Sequence, residues 1–233
     1  MRGKTLRLEK YLVECGVASR RKIKKAVMEG RVTVNGKVEY NDATDVEWGE
    51  DIVTFDGEIP QKKELKYYIM YKVAGYITAM EDANRKTVVE LLPDYVDKRS
   101  VFPVGRLDRD TEGLLLFTSD GDLSHVMAHP NNKMEKTYYV ELDRPINDED
   151  INALENGVIL DTDYHALPGK VEFLTEKSIH LTITEGRYHQ VKKMIKAVNN
   201  KVLYLKRVRF GNLTLEGMEL GDVREIKRED ILL

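Results

Sequence analysis

The chain is organised around one stretch, Gly105-Arg106-Leu107-Asp108-Arg109-Asp110-Thr111-Glu112-Gly113-Leu114-Leu115-Leu116-Phe117-Thr118. Its four consecutive apolar residues, Leu114 to Phe117, predict a buried strand, since strands are usually about five or six residues long. The segment that leads into this strand is highly charged, with Arg106, Asp108, Arg109, Asp110 and Glu112. The sequence therefore predicts a charged loop at the mouth of an apolar core.

A carboxylate beside arginines can stay ionised while it is partly shielded from water. Such a group suits a nucleophile or a proton-transfer residue. An ordinary polar turn that leads into a core strand would also contain these residue types. The charges alone leave both interpretations open.

Length and composition indicate a folded globular protein of one large or two smaller domains, with 233 residues of which 42% are apolar. The sequence contains no run of 18 apolar residues, and its N-terminus lacks the apolar segment of a signal peptide. We therefore expect a cytoplasmic protein without a membrane segment. The single cysteine, Cys15, cannot form an internal disulfide and fits an apolar helical position.

Charge is distributed unevenly along the chain. Residues 1–40 contain 11 Lys and Arg against 4 Glu, a net charge of +7, so the remaining residues carry −10 of the total of −3. A basic segment on an acidic body indicates a polyanion-binding region. A solvated charged helix face would give the same count, and charge alone does not decide between them.

The first 40 residues also show regular structure. Leu6, Leu8, Tyr11, Leu12 and Cys15 have helical spacing, and Gly16 is well placed to end a helix. A second helix is predicted after Ser19 as N-cap, ending at Gly30, with an outer face of Arg20, Arg21, Lys22, Lys24 and Lys25. The following Val32-Thr33-Val34-Asn35-Gly36-Lys37-Val38 predicts a hairpin, because Asn-Gly suits a type I′ turn.

This order of helix, basic helix and hairpin resembles the S4 RNA-binding module. The resemblance is carried by Arg7, Lys10, Ser19, Arg20, Lys24, Gly30, Val32, Val34, Asn35 and Gly36. Cations on about one and a half turns of helix would contact phosphates and give affinity with little sequence readout. The candidate RNA-binding residues of this region are Arg7, Lys10, Ser19, Arg20, Arg21, Lys24 and Lys25.

A domain boundary is expected at Pro60-Gln61-Lys62-Lys63-Glu64, which is short, polar and poor in core-forming residues. It divides the chain into an S4 domain over residues 5–62 and a larger domain over 65–233. The fold class that follows is α+β in both domains.

The central stretch closely resembles the active-site motif of bacterial pseudouridine synthases of the RsuA branch. The matching strings are Gly105-Arg106-Leu107-Asp108 and Asp110-Thr111-Glu112-Gly113-Leu114-Leu115. The resemblance implies that Asp108 is the essential aspartate and that the larger domain has a mixed, largely antiparallel sheet. Val73 stands where the family usually has proline, a change that affects loop rigidity.

A second family motif is matched by Glu135-Lys136-Thr137-Tyr138-Tyr139-Val140. Alternation along a strand places Tyr138 and Tyr139 on opposite faces. The resemblance implies that Tyr138 stacks on a target base flipped from the RNA, with Lys136 nearby. Without the resemblance, Tyr138 would be assigned to the core.

A third motif is matched by Glu185-Gly186-Arg187-Tyr188-His189-Gln190-Val191-Lys192-Lys193-Met194. In the family an arginine here pairs with the essential aspartate, and we assign that role to Arg187, with Lys192 or Lys193 as reserve candidates. Lys192, Lys193 and Arg106 are also candidates for RNA contact. Val191, Met194, Ile195 and Val198 form a helical inner stripe.

The resemblance implies isomerisation of a specific uridine in ribosomal RNA to pseudouridine, with no cofactor and no metal. The N1–C1′ glycosidic bond breaks, the uracil turns while it is held, and C5 bonds to C1′. Asp108 can act as nucleophile or as base at the sugar, and the sequence does not choose between them. The third motif looks more like the small-subunit (16S) enzyme than the large-subunit ones, which makes 16S rRNA or a small-subunit assembly particle the expected partner.

The same residues also allow three other interpretations. Asp108 and Asp110 share a face in extended chain and could form the carboxylate pair of a glycoside hydrolase, although surface aromatics are scarce. A non-catalytic S4-type assembly factor would not need Asp108, Tyr138 and Arg187 together. A zinc site at His125 and His129 lacks a third ligand.

No exposed apolar heptad is evident, so we expect a monomer.

Overall fold

The computed structural model describes residues 4–160 and 163–232. The chain divides into two compact units, Met1–Leu65 and Lys66–Leu233.

The first unit packs two helices against short strands. Its elements in chain order are β1 Thr5–Arg7, α1 Leu8–Glu14, α2 Arg20–Met28, β2 Val32–Val34, β3 Lys37–Val38, β4 Asp45–Glu47 and β5 Val53–Phe55. β1 pairs with β4, and β3, β2 and β5 form a three-stranded sheet. The inner faces of both helices meet in one apolar core with Val32, Val46 and Val53.

Local residues explain most of these boundaries. Gly16 and Gly30 take positive φ angles of 65° and 71° just after the two helices, which is the usual backbone of a helix end. Asn35 and Gly36 take φ angles of 51° and 76°, as a type I′ turn requires. One prediction was wrong: Leu6 lies in β1 and not in the first helix, because pairing with Val46 of β4 outweighs its helical spacing.

The second unit is built on a large sheet. Its strands are β6 Tyr67–Lys72, β7 Phe102–Val104, β8 Glu112–Thr118, β9 Lys136–Leu142, β10 Lys170–Thr175, β11 Ser178–Ile183, β12 Val202–Phe210, β13 Leu213–Thr214 and β14 Val223–Glu225. Its helices are α3 Gly121–Ala128, α4 Asp148–Asn156, α5 Gln190–Ala197 and α6 Glu229–Leu232, with short 3-10 turns at Val88–Leu91 and Pro130–Asn132.

The order of strands in this sheet is β10-β11-β9-β12-β8-β6-β14, with β13 beside β12 and β7 beside β8. β12 and β8 run parallel, and the other pairs described in this sheet are antiparallel. The predicted mixed, largely antiparallel sheet is confirmed, and so is the α+β class. The parallel pair places the charged loop before β8 beside the middle of β12.

The apolar run of the central stretch is buried because β8 is covered on both faces. Leu115 and Phe117 pack in a core with α4 and α5. Leu114 and Leu116 pack in a second core with α3 and α6. A strand buried on both faces has a continuous apolar sequence, which is why Leu114–Phe117 does not alternate.

Gly113 allows β8 and β12 to approach each other closely. Its φ is 109°, and a Cβ there would lie 2.2 Å from the carbonyl oxygen of Arg207. No larger residue fits without moving one of the two strands. The contact fixes the end of the charged loop against β12.

In the part of the chain that the structure describes, no helix is both long and apolar enough to cross a bilayer.

Candidate active site

A pocket of about 630 Å³ opens in the second unit where the three sequence motifs meet. The loop before β8 forms one wall, β9 and β12 form the floor, and the segment leading into α5 forms the opposite wall. Asp108, Tyr138, Arg187 and Lys192 all line it. The structure thus brings together residues that lie up to 84 positions apart in the chain.

Lys72 holds the charged loop before β8 in place through hydrogen bonds to its backbone. The residue is fully buried at the end of β6, and its Nζ donates to the carbonyl oxygens of Thr111 at 2.7 Å, Val73 at 3.0 Å and Asp108 at 3.2 Å. Burial lowers the pKa of Lys72 to about 8, although the nearby carboxylates of Glu112, Asp110 and Asp108 act in the opposite direction. One buried ammonium therefore fixes the backbone on both sides of Asp110.

The same loop is held on its other flank by Thr78. The Thr78 hydroxyl donates to the Leu107 carbonyl oxygen at 2.8 Å and accepts from the Leu107 N–H at 3.0 Å. Since Thr78 is itself buried, these bonds are protected from water. Asp108 follows the clamped residue directly and has little freedom to move.

The carboxylate of Asp108 faces two basic groups from the third motif. Lys192 Nζ lies 3.3 Å from Oδ2, and His189 Nε2 lies 3.5 Å from Oδ1. The Asp108 side chain is 26% exposed, so it reaches the pocket while partly shielded from water. These contacts fix the position and orientation of the carboxylate in the pocket.

Lys192 also bonds Asp110, with 2.6 Å between Nζ and Oδ1. Burial alone would lower the pKa of Lys192, but the hydrogen bond to Asp110 and the charges of Asp108 and Asp110 raise it above its ordinary value. Burial would likewise raise the pKa of Asp110, whereas the hydrogen bond and charge of Lys192 lower it. The ammonium stays charged and is shared by two carboxylates.

Tyr138 lies in the pocket floor and is only 8% exposed. Its backbone pairs with Arg207 of β12 and with Leu181 of β11, so Tyr138 lies on a central strand whose pocket face carries its ring. Tyr139 lies on the opposite face of β9, where its ring meets His180 and Tyr204 edge to face. The predicted separation of the two tyrosines is present in the structure.

Arg187 lines the pocket, but its guanidinium contacts an aromatic ring and not the aspartate. Its Cζ lies 3.5 Å from the centre of the Tyr164 ring. Among the described residues, Lys192 is the cation of the third motif that reaches Asp108. The reserve candidate Lys192 thus lies where the sequence placed Arg187, because α5 begins at Gln190 and carries Lys192 next to the loop. The role of each residue stays a prediction.

Glu185 and Gln190 fix the turn before α5. Gln190 Nε2 donates to Glu185 Oε1 at 2.6 Å, and the Arg187 N–H donates to Gln190 Oε1 at 2.8 Å. Tyr164 donates from its hydroxyl to Glu185 Oε2 at 2.7 Å. This buried network holds His189 in a left-handed conformation, with φ of 54°, and points it at Asp108.

The remaining candidates in the second unit lie at the pocket or its rim. Arg106 is exposed on the pocket wall, and Lys136 is half-buried in the floor. Lys193 lies with its Nζ 5.4 Å from the centre of the Tyr188 ring. The ring of Tyr188 stacks on His189 with 3.8 Å between centres.

The candidate RNA-binding residues of the first unit lie mainly on its surface. Arg20, Arg21, Lys24 and Lys25 are exposed on the outer face of α2, and Arg7 and Ser19 are exposed at the helix starts. Lys10 is half-buried on α1. Lys24 contacts Asp42 at 3.2 Å and Glu9 at 3.5 Å, so this basic face is partly neutralised by neighbouring acids.

His125 and His129 lie with ring centres 4.9 Å apart. Over the ranges 4–160 and 163–232, no group of three or more His, Cys, Asp or Glu side chains is arranged to hold a metal ion.

Sequence reasoning missed Lys72, Thr78, His189 and Arg207 as site residues. Lys72 carried a usable signal, because a lysine that ends a buried strand must find acceptors for its ammonium. Arg207 carried the same signal on β12, where it lies two residues after the buried Leu205. His189 could be identified only after the fold placed the turn before α5 against the loop.

Comparison with known proteins identifies two domains. A family model described as RNA pseudouridylate synthase matches residues 66–197. An S4 domain model matches residues 6–47. The two matches fall in the two compact units.

Curated relatives match over nearly the whole chain. The chain is 42% identical to an uncharacterized RNA pseudouridine synthase, YtzG, of Bacillus subtilis (strain 168), covering 98% of each. It is 36% identical to ribosomal large subunit pseudouridine synthase B of the same organism, covering 97% of this chain and 92% of the other. It is also 36% identical to ribosomal small subunit pseudouridine synthase A of Pasteurella multocida (strain Pm70), covering 97% and 98%.

A solved structure agrees with the sequence relatives. The fold matches a crystal structure of a pseudouridylate synthase with a TM-score of 0.71 and 33% identity, covering 97% of this chain and 98% of that one.

Proposed function

Because the chain belongs to the RNA pseudouridylate synthase family, we propose that the pocket around Asp108 isomerises one uridine of 16S rRNA. The S4 domain and the family membership make the protein an RNA-binding enzyme that forms pseudouridine. The choice of small-subunit RNA is supported by the sequence Arg187-Tyr188-His189-Gln190-Val191-Lys192. On this proposal the protein acts in the cytoplasm as a monomer, on naked 16S rRNA or on an assembling small subunit.

The observation that carries the proposal is the position of the Asp108 carboxylate, which lies in the same pocket as Tyr138 and 3.3 Å from Lys192. Glycosidic cleavage needs an anionic carboxylate near C1′. The Lys192 ammonium pairs with this carboxylate, and Lys192 and His189 together orient it. Asp108 then acts at C1′ as nucleophile, or at the sugar as base.

Tyr138 would hold the uracil after the N1–C1′ bond breaks. A flat, largely buried ring in the pocket floor suits stacking against a flipped base. The uracil turns on this surface, C5 bonds to C1′, the proton leaves C5 and a proton is gained at N1. The reaction is an isomerisation, so no cofactor is part of the proposal.

Large-subunit RNA is the second candidate substrate. It is favoured by the large-subunit relative of Bacillus subtilis, whose 36% identity equals that of the small-subunit relative. The same pocket would catalyse the reaction on either substrate, and the two proposals differ only in which RNA the protein recognises.

Pseudouridine mapping tests the proposal. Small-subunit and large-subunit transcripts and ribosomal particles are incubated with the protein, with Asp108→Asn as the inactive variant and Asp94→Asn, an exposed carboxylate outside the pocket, as the matched control. We expect one new site in 16S rRNA, lost with Asp108→Asn by at least about 1,000-fold in rate and retained with Asp94→Asn. A site only in 23S rRNA would select the second candidate, and tight binding without any modification would reject the catalytic role.

A further inference from the structure

Arg207 is a fully buried arginine whose hydrogen-bonding capacity is not satisfied. The residue lies on β12, is 1% exposed and lines the pocket. Its Nε donates to the Leu114 carbonyl oxygen at 2.8 Å. Its Nη2 is buried and has no hydrogen-bond partner in the described part of the chain. An unmet donor on a charged, buried group costs free energy.

Lys136 lies beside Arg207 in the same pocket. It is on β9 two residues before Tyr138, so both side chains point to the same face. Lys136 Nζ and Arg207 Cζ lie 5.5 Å and 4.9 Å from the centre of the Phe210 ring. Burial, and then the charge of Arg207, lower the pKa of Lys136 to about 8, while the charge of Glu185 acts in the opposite direction.

Neither cation is neutralised by an ion pair. Lys136 Nζ donates to the Met134 carbonyl oxygen at 2.8 Å, and Glu185 acts on it only as a charge at longer range. Within residues 4–160 and 163–232, no carboxylate lies within ion-pair distance of Lys136 or Arg207. A buried guanidinium beside a half-buried ammonium, with no carboxylate paired to either, costs free energy that an anion bound between them would partly recover.

We propose that Arg207 and Lys136 form a phosphate subsite, which takes one of the two phosphodiesters that flank the uridine in the pocket. A phosphodiester carries a full negative charge, which would pair with both cations. Its non-bridging oxygens would accept a hydrogen bond from the unpaired guanidinium N–H of Arg207. A uracil carbonyl would supply an acceptor but no charge in the ground state. The pocket, at about 630 Å³, exceeds what a flat pyrimidine base needs and can accommodate part of the backbone.

This subsite rests on the proposed function, and it fills a need of that reaction. Once the N1–C1′ bond breaks, the enzyme holds two separate pieces, the uracil and the RNA backbone. Tyr138 holds the first, and the phosphate subsite holds the ribose through its neighbouring phosphate. C1′ then stays beside Asp108 while the uracil turns, which is positioning by a group remote from the reacting atoms.

A binding experiment tests the subsite without any turnover. The arginine Nε–Hε signals of ¹⁵N-labelled protein are followed by NMR at constant ionic strength during titration with inorganic phosphate, uridine monophosphate and uridine. Arg207→Lys identifies the Arg207 signal, and Arg209→Lys, on the exposed part of the same strand, is the matched control. We expect the Arg207 signal to shift saturably with inorganic phosphate and with uridine monophosphate but not with uridine, and to lose this response in Lys136→Met.

Two results of the titration would overturn the subsite. A shift with uridine but not with inorganic phosphate would assign Arg207 to a uracil carbonyl. The absence of a saturable shift with any of the three would remove the site. Since the titration does not require catalysis, it can reject the phosphate subsite without rejecting the pseudouridine synthase activity, and the reverse also holds.

RNA binding and kinetics of a Lys136 variant give a second test, which does not require an Arg207 variant to fold correctly. Affinity for 16S rRNA falls as salt rises, and in Lys136→Met a plot of log affinity against log salt should be less steep by about one. This is the change expected for one lost phosphate contact. The substitution should also lower kcat/KM by about 10- to 100-fold. The exposed Lys201→Met is the control and should change neither. A loss of activity in Lys136→Met with an unchanged salt slope would indicate a structural role and reject the subsite.

Discussion

The protein places cations in two different environments. On α2 of the first unit, Arg20, Arg21, Lys24 and Lys25 are exposed to water. In the second unit, Lys72 and Arg207 are almost completely buried. The residue types are the same, but the surrounding dielectric and the partners differ.

This difference separates affinity from positioning. Exposed cations on a helix attract phosphates over a distance set by salt and impose little geometry. Buried cations interact strongly at short range and fix the groups that they bond. The surface of α2 therefore suits capture of RNA. The buried Lys72 and Arg207 suit placement of a loop and of the RNA backbone, and the partly buried Lys192 suits placement of a carboxylate.

The largest effect is expected at the shared ammonium of Lys192. Lys192→Met should lower kcat by about 100-fold, because Asp108 and Asp110 lose the cation between them. The pKa of Asp110, which the hydrogen bond and charge of Lys192 lower in the wild type, should rise in this variant. Lys192→Arg should restore part of the rate.

Arg187→Met is the matched comparison for Lys192→Met. Since Arg187 stacks on Tyr164, we expect a loss of less than about 10-fold in kcat. Single-turnover measurement of pseudouridine formation from pH 5 to 9 distinguishes the two variants. A larger loss in Arg187→Met than in Lys192→Met would restore the pairing predicted from the sequence.

The next effect concerns stability at Lys72. Lys72→Met should lower the unfolding free energy of the second unit by about 1–3 kcal/mol, because the loop carbonyl oxygens lose their donor. Urea denaturation followed by far-UV circular dichroism measures this change. The fluorescence of Trp48, the single tryptophan of the chain and part of the first unit, is the internal control and should keep its midpoint.

The pH dependence of that difference tests the burial of Lys72. Its pKa is about 8 in the folded protein, against 10.5 for an ordinary lysine. Between these values the unfolded chain binds more protons, so the unfolding free energy of the wild type should rise with pH relative to Lys72→Met from about pH 8 to pH 10. A difference that stays flat or falls over this range would contradict a buried, protonated Lys72.

A smaller effect is expected on the basic face of α2. The triple variant Arg20→Gln/Arg21→Gln/Lys25→Gln should weaken binding to 16S rRNA by about 10-fold at 0.1 M salt, with a shallower salt slope and unchanged kcat. Lys201→Gln/Lys227→Gln removes exposed charges from the second unit as a control. Loss of kcat without loss of affinity would show that α2 does not serve to capture RNA.

The smallest effect is expected for the ion pairs of the first unit. Lys24→Ala removes the contacts with Glu9 and Asp42, but its side chain is 56% exposed. Surface pairs of this kind contribute little because water and salt screen them. The urea midpoint read from Trp48 fluorescence should remain unchanged, and a clear decrease would mean that these pairs are structural.

Much of the fold could be predicted from local patterns. The helical stripes of α2 and α5, the Asn35-Gly36 turn and the buried run in β8 all depend on residues close together in sequence. The N-cap of α4 at Asn147, with its capping box to Asp150, follows the same rule. Leu6 was misassigned because its partner, Val46, is 40 positions away.

The sequence by itself determined the domain types, the family and the three motifs, and with them Asp108 and Tyr138 as the residues to examine. Only the tertiary structure decided the partner of Asp108 and the burial of Lys72 and Arg207. The physical reason is that periodicity and turn chemistry are local, whereas an ion pair or a buried donor depends on which distant segments meet. The parallel pairing of β8 with β12 places Arg207 against Gly113. The start of α5 at Gln190 places Lys192 beside Asp108.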